Sequence, residues 1–147
     1  MTEQARDGSP DDGGRPELAA VPKAALDDRM GIEYLEVGPD RVVARMPVEG
    51  NTQPFGLLHG GASCVLAESV GSVAANLHGQ PDRYAVGVDI NATHHRGVRS
   101  GHVTAVATPA HLGRSSASYE IVIADDDGRR VCTARLTCFL VPIAGDR

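Results

Sequence analysis

The chain has 147 residues, the length of one domain, and its 41% hydrophobic and 22% charged residues are typical of a globular protein. A net charge of −5 argues against a general polyanion-binding protein, and the absence of tryptophan argues against a sheet that stacks bases. There is no apolar run of transmembrane length, and three cysteines without a CxxC pair favour a reducing compartment. We therefore expect a cytoplasmic protein without nucleic-acid or membrane partners.

The N-terminal segment, residues 1–16, is polar and rich in glycine, proline and aspartate. It is predicted to be a disordered tail, and it lacks the apolar region of a signal peptide. The following stretch, from Glu17 to Met30, has apolar residues near the helical period and ends before Gly31. We expect a short helix that starts late or kinks at Pro22. Its apolar positions are Leu18, Val21, Ala25 and Leu26.

A strand is predicted over residues 41–48, where apolar side chains occupy every second position. The alternating residues are Val42, Ala44, Met46 and Val48. The loop that follows, EGNTQPFGLLHGG, is rich in glycine, proline and asparagine, and its length is typical of a functional loop.

One long helix is predicted from Gly61 to about Leu77, with a stop in the segment 76–79. Its expected apolar stripe consists of Ala62, Val65, Leu66, Ser69, Val73 and Leu77. A second face carries Cys64, Glu68, Gly71, Ser72 and Ala75, which are all small except the glutamate. Small side chains would allow another backbone to approach this face closely.

The remainder of the chain, after Arg83, is predicted to form strands. Apolar residues alternate in four segments: Tyr84 to Ile90, Val103 to Ala107, Tyr119 to Ile123, and Arg130 to about Val141, with a turn at 125–128. The fold class is therefore α+β. An antiparallel sheet of five or six strands wrapped around one long central helix would bury the helix stripe.

A candidate site lies at the start of the long helix. The first amides of a helix have no intrahelical acceptor and carry partial positive charge, so they can hold an oxyanion. Gly60 and Gly61 have no side chains to obstruct a carbonyl group that approaches these amides. Glu68, the only charged residue between Gly60 and Leu77, is a candidate base or nucleophile.

The spacing of these two groups predicts an oligomer. Glu68 lies eight residues after Gly60, which corresponds to about 12 Å along a helix axis. A single carbonyl group cannot contact both within one chain. If both act, two copies of the helix pack antiparallel, and the site is composite.

The segment NTQPFGLLHGGASCVLAE, residues 51–68, resembles the hotdog-fold acyl-CoA thioesterases. It is most similar to the branch that contains 1,4-dihydroxy-2-naphthoyl-CoA hydrolase and one type of 4-hydroxybenzoyl-CoA thioesterase. The likeness continues through VDINA, residues 88–92, and HLGRSS, residues 111–116. It implies a hotdog domain over residues 17–143, a short C-terminal tail at 144–147, and a homodimer that forms a homotetramer.

The resemblance also implies roles for individual residues. Glu68 would attack an aromatic acyl-CoA thioester or activate water, the Gly60 amide would polarise the carbonyl, and Ser72 would help to place the water or the carboxylate. Gln53 and His59 would orient groups at the site. Coenzyme A, which is part of the substrate, would be bound by Gly61, Arg96, Arg114, Ser115 and Ser116.

Other interpretations stay open. The same pocket could serve a non-catalytic acyl-CoA-binding module, or an acyl-thioester hydratase or dehydratase, although the His/Asp or His/Glu arrangement of the latter is not evident. Glu68 alone could be a paired or solvated surface residue. No metal or other cofactor is expected, because His94 and His95 are adjacent strand residues and point to opposite faces.

Overall fold

The computed structural model describes residue 21 and residues 24–144, so the predicted tail at 1–16 lies outside the described residues. The described part contains two helices, α1 (Ala25–Met30) and α2 (Gly60–Gly79). It also contains six strands: β1 (Glu33–Val37), β2 (Val42–Pro47), β3 (Arg83–His94), β4 (His102–Leu112), β5 (Ser116–Asp125) and β6 (Arg130–Pro142). No helix in this part of the chain has the length and hydropathy of a bilayer-spanning segment.

The six strands form one antiparallel sheet in the order β1-β2-β4-β5-β6-β3. The sheet packs around α2, which contacts β2, β3, β4, β5 and β6. This confirms the predicted architecture of a sheet around one long helix. It also places β3, which follows α2 directly in the chain, at an edge of the sheet.

The inner face of the sheet is formed by the predicted alternating residues of four strands. Fully buried are Val42, Ala44 and Met46 of β2, Val103, Ala105 and Ala107 of β4, Tyr119, Ile121 and Ile123 of β5, and Cys132, Leu136 and Cys138 of β6. The predicted strand is confirmed at β3, but its alternating residues Tyr84, Val86 and Val88 are 40–48% exposed. The alternation in β3 therefore marks an outer face, beside the exposed Phe139 of β6.

The buried stripe of α2 differs from the predicted one. Only Ala62 and Leu66 of the predicted stripe are buried, whereas Val65, Ser69, Val73 and Leu77 are half-buried. The buried line runs through Leu66, Val70 and Ala74, together with Ala67, Gly71 and Ala75. The sheet curves around more of the helix than one narrow stripe, so small residues are buried as well. At Gly71 a Cβ atom would lie 2.6 Å from Leu136 Cδ2.

This packing also corrects the predicted small-residue face of α2. Gly71 and Ala75 pack inside the chain's own core and are not available to another subunit. Cys64, Glu68 and Ser72 are half-buried and form the part of that face which the sheet does not fully cover.

Helix α1 begins at Ala25, because Ala24 is extended (φ −84°, ψ 133°), and ends at Gly31 with φ 71°. The late start and the glycine stop agree with the sequence pattern, whereas residues 17–20, 22 and 23 lie outside the described residues. The buried Asp27 connects α1 to the rest of the fold. It accepts hydrogen bonds from Tyr34 Oη (3.0 Å) and Ser69 Oγ (2.7 Å), which belong to β1 and α2.

At two tyrosines, removal of the hydroxyl group is expected to change the free energy of unfolding in opposite directions. Tyr119 is fully buried, and its hydroxyl has no hydrogen-bond partner among the described residues; burial raises its pKa to about 12. We expect Tyr119→Phe to raise the free energy of unfolding by about 1 kcal/mol, because an unsatisfied polar group is removed. Tyr34→Phe should lower it by about 2 kcal/mol, because a hydrogen bond to a carboxylate is lost. Urea unfolding measures both free-energy changes. A destabilised Tyr119→Phe variant would show that the Tyr119 hydroxyl does have a hydrogen-bond partner.

Candidate active site

The loop between β2 and α2 is held in place by backbone hydrogen bonds. Gln53 N donates to Leu57 O (2.8 Å), Leu58 N donates to Val98 O (2.7 Å), and His59 N donates to Asn51 O (2.9 Å). The loop bends at Gly56, whose φ of 78° favours glycine. Its end, and therefore the first turn of α2, is fixed relative to the segment after β3.

The start of α2 presents one free amide. His59 is the N-cap, and its ring Nδ1 accepts a hydrogen bond from Gly61 N (2.8 Å). The carbonyl of His59 accepts from Ala62 N (2.9 Å) and Ser63 N (3.3 Å). Gly60 N–H therefore has no acceptor among the described residues, although the neighbouring amides do. Its position at the positive end of the helix suits a donor to an oxyanion. His59 orients the helix start, and Gly61 N is already engaged.

An open cleft of about 360 Å³ lies in front of this amide. It brings together three of the predicted site residues, namely Gln53, Gly60 and Arg96. Gln53 is half-buried, and its Oε1 accepts a hydrogen bond from Phe55 N within the loop. Apolar walls are supplied by Leu57, Leu58 and Val131.

The cleft contains polar residues that the sequence analysis did not assign to the site: Ser63, His94 and His95. The ring of His94 packs on Gly60, where a Cβ atom would lie 2.9 Å from His94 Nε2. His95 Nε2 lies 2.9 Å from Thr133 Oγ1. The available signal was the position of the two histidines one residue after the VDINA segment, but they were considered only as metal ligands. In the described part of the chain, no three histidine, cysteine or acidic side chains are arranged to hold a metal ion.

Glu68 lies two turns along α2 and is half-buried. None of the four ion pairs among the described residues includes it. Ser72 Oγ lies 3.5 Å from Glu68 Oε1, at the limit of a hydrogen bond, as expected for a residue one turn later. The arrangement leaves a carboxylate in a partly desolvated place with one weak donor and no cation.

The sheet beneath Glu68 is apolar and close. Cys138 of β6 is fully buried there, and burial, followed by the charge of Glu68, raises the pKa of its thiol to about 11. The nearby hydroxyl of Ser72 opposes this rise in the pKa of Cys138. Cys138 is therefore a neutral part of the floor rather than a thiolate nucleophile.

The predicted residues Arg114, Ser115 and Ser116 lie at the opposite end of α2 from the cleft. His78 Nε2 near the end of the helix contacts Gly113 O (2.9 Å), and Leu140 N donates to Ser115 O (2.9 Å). His78 follows Gly60 by eighteen residues, which is about 27 Å along the helix. The structure of one chain thus does not bring these three residues to Gly60. Arg96 is the one predicted coenzyme A-binding arginine at the cleft.

The chain matches known thioesterases in sequence and structure. The family model described as Thioesterase superfamily matches residues 55–132. A protein of Cronobacter turicensis named proofreading thioesterase EntH is 50% identical over 121 residues, covering 82% of this chain and 88% of that protein.

Two solved structures have the same fold. Thioesterase HI1161 of Haemophilus influenzae has a TM-score of 0.79 and 42% identity, covering 83% of this chain and 86% of that one. A mutant of thioesterase PA1618 of Pseudomonas aeruginosa has a TM-score of 0.80 and 43% identity, covering 91% of this chain and 98% of that one. With its six-stranded sheet around α2 and the free amide at the helix start, the chain belongs to the thioesterase superfamily, with the hotdog fold, and is a thioester hydrolase.

Proposed function

We propose that the protein hydrolyses an aromatic, hydroxyaroyl-type acyl-CoA to the free acid and coenzyme A. The observation that carries this proposal is the free N–H of Gly60, a residue at the N-terminus of α2 that lines a cleft of ligand size. An amide in this position stabilises negative charge on the oxygen of a thioester carbonyl as the carbon is attacked.

Glu68 supplies the attacking group in one of two ways. As a nucleophile, a carboxylate oxygen bonds to the carbonyl carbon, the C–S bond breaks, and coenzyme A leaves as a thiolate; water then hydrolyses the resulting anhydride. As a general base, Glu68 takes a proton from water as its oxygen attacks the same carbon; the C–S bond then breaks, and the proton held by Glu68 passes to the departing thiolate. Both routes need a carboxylate without a cationic partner, which agrees with the surroundings of Glu68. Neither requires a metal or another cofactor.

The walls of the cleft support an aromatic acyl group. Leu57, Leu58 and Val131 offer apolar surface, whereas Gln53 and His94 offer hydrogen-bonding groups at its edge. A flat ring with a polar substituent matches such a mixed lining. The relatives named proofreading thioesterase support a proofreading role for this hydrolysis. A reducing cytoplasm suits both this substrate and three unpaired thiols.

The catalytic unit in this proposal is a homodimer with two composite sites, and two dimers form a homotetramer. Gly60 and Glu68 lie about 12 Å apart along α2, so one carbonyl cannot contact both groups of the same chain. Strand β3 has twelve residues and a free edge. Pairing of two β3 edges about a twofold axis would continue the sheet and place the two α2 helices antiparallel.

The same arrangement explains the position of the Arg114 segment. If Glu68 of one subunit faces the amide at the helix start of its partner, His78 faces the loop that precedes the partner's helix. Arg114, Ser115 and Ser116, which adjoin His78, then approach the partner's cleft. Coenzyme A would lie between Gly61 and Arg96 of one subunit and the Arg114 segment of the other.

Thiol release from a panel of aroyl- and alkyl-CoA thioesters tests this function. We expect aroyl-CoA, and hydroxylated aroyl-CoA above all, to give the highest kcat/KM. Binding of a non-hydrolysable aroyl-CoA analogue is measured in parallel. Binding without thiol release from any ester would replace hydrolysis by the binding-module alternative, and preference for long alkyl chains would contradict the aromatic substrate.

A further inference from the structure

Strand β3 contains a glycine, Gly87, that its backbone conformation does not require. The positive-φ glycines of the described residues are Gly31, Gly50, Gly56, Gly101 and Gly128, and Gly87 is not among them. Glycine in the middle of a strand reduces stability by about 0.5–1 kcal/mol relative to alanine. Glycine also occurs inside strands where another group approaches the backbone closely.

The group that approaches Gly87 is the carboxylate of Glu68. A Cβ atom on Gly87 would collide with Glu68 Oε1, and it would lie 3.3 Å from Cδ and 3.6 Å from Oε2. The carboxylate thus rests on the Gly87 backbone. The pairing of β3 with β6 shifts register between Gly87 and Asp89, so the carboxylate lies beside a bulge.

An added side chain at residue 87 would turn the carboxylate away from the sheet, because the space on the inner side of the sheet is already filled. Gly87 pairs with Cys138, whose fully buried side chain fills the space on the inner side of β6. One turn along the helix, Gly71 already packs on Leu136. Helix α2 therefore cannot settle elsewhere on the sheet without disturbing a packed core.

We infer that Gly87 is a positioning residue, which holds the Glu68 carboxylate at its reacting place by leaving the space that the carboxylate occupies. This inference rests on the proposed role of Glu68. A methyl group at residue 87 would push the carboxylate off the strand and away from the substrate carbonyl. Gly87 does not line the cleft of its own subunit, so we expect the substitution to change kcat more than KM.

The first variant is Gly87→Ala, with Gly38→Ala in the β1–β2 turn as a matched control. At Gly38 a Cβ atom would lie 3.4 Å from its nearest neighbour, Arg41 O, which is an ordinary contact. We expect Gly87→Ala to lower kcat about a hundredfold, the effect of a misplaced reacting group, with KM nearly unchanged. The melting temperature should not fall, whereas a merely structural glycine would lower it. Gly38→Ala should leave kcat unchanged.

The second measurement is a double-mutant cycle with Glu68→Asp. The shorter side chain withdraws the carboxylate from Gly87, so adding Gly87→Ala to Glu68→Asp should change kcat by less than about twofold. If Gly87→Ala alone fails to fold but the double variant folds, the same steric coupling is demonstrated. If both fail to fold, the inference is wrong.

Three further outcomes would overturn the inference: wild-type kcat in Gly87→Ala, a hundredfold loss that persists unchanged in the Glu68→Asp background, or loss of the oligomer on size-exclusion chromatography. Glu68→Ala distinguishes the positioning role of Gly87 from the proposed catalytic role of Glu68. An inactive Glu68→Ala with an active Gly87→Ala rejects only the positioning role, whereas an active Glu68→Ala rejects the proposed mechanism.

Discussion

Alanine at residue 68 is expected to lower kcat for aroyl-CoA hydrolysis at least about a hundredfold while substrate binding is retained. The reason is that Glu68 is the one charged residue on α2 between its start and Leu77, and none of the four ion pairs of the described residues includes it. Glu68→Gln keeps the shape of the side chain and removes its charge, so it should be as inactive. Thiol release gives the rate, and equilibrium binding of a non-hydrolysable analogue gives the affinity.

Glu36→Ala serves as the control for the loss of a carboxylate. Glu36 lies on β1, at the sheet edge opposite to β3, in an exposed ion pair with Arg41. It should have wild-type kcat, since exposed ion pairs contribute little. Turnover that survives Glu68→Ala would show that another group attacks the thioester and would refute the mechanism, although not the fold.

Subunit complementation is expected to restore activity from two inactive variants. The first is Glu68→Ala, and the second is Gly60→Pro, which removes the free N–H. Proline is favoured at the first helical position, and His59 before it already has compatible dihedrals (φ −68°, ψ 131°). Gly60→Pro alone should lower kcat by about 10²–10³-fold, the typical cost of one oxyanion donor.

Mixing the two variants after unfolding and refolding gives heterodimers in half of the molecules. In each heterodimer, one composite site combines the intact Glu68 of one subunit with the intact amide of the other. Activity should therefore recover to about a quarter of the wild-type value. A site contained within one chain would give no recovery, and that result would exclude the composite site.

Gly60→Ala is the matched control for the proline. It retains the N–H but introduces the same Cβ atom, which would lie 2.9 Å from His94 Nε2. The ratio of kcat in Gly60→Ala to kcat in Gly60→Pro separates the effect of losing the N–H from the steric effect on His94. Equal losses in both variants would show that the histidine contact, and not the N–H, accounts for the effect of proline.

Strands could be predicted from the sequence where one face of the strand is buried and the other is exposed. In β2, β4, β5 and β6, apolar residues alternate because the inner face covers α2, and the structure buries the predicted residues. At β3 the pattern predicts the strand but not its buried face, because an apolar outer face produces the same alternation as an inner one. It misses β1, where the segment EYLEV has only Val37 buried and carries exposed glutamates.

Most of the predicted site lies in one continuous segment. Gln53, His59, Gly60 and Glu68 lie within sixteen residues, and local hydrogen bonding and helix geometry determine their relation. Arg96, outside this segment, was predicted from the family resemblance and lies at the same cleft. The approach of His94 to Gly60 and of Glu68 to Gly87 depends on how β3 packs on α2. No sequence period encodes such tertiary contacts. The distance between Gly60 and the Arg114 segment likewise follows from the three-dimensional path of β4 and β5.

The free edge of β3 affects both the solubility and the activity of the enzyme in the cell. A twelve-residue edge strand with exposed valines is a template for indiscriminate strand addition, which leads to aggregation. In the proposed dimer the same event that protects this edge also completes the catalytic site. Mass action would then link turnover to abundance, because dilution below the dissociation constant leaves subunits that are both idle and prone to self-association. Selection for activity and selection for solubility would act on one interface.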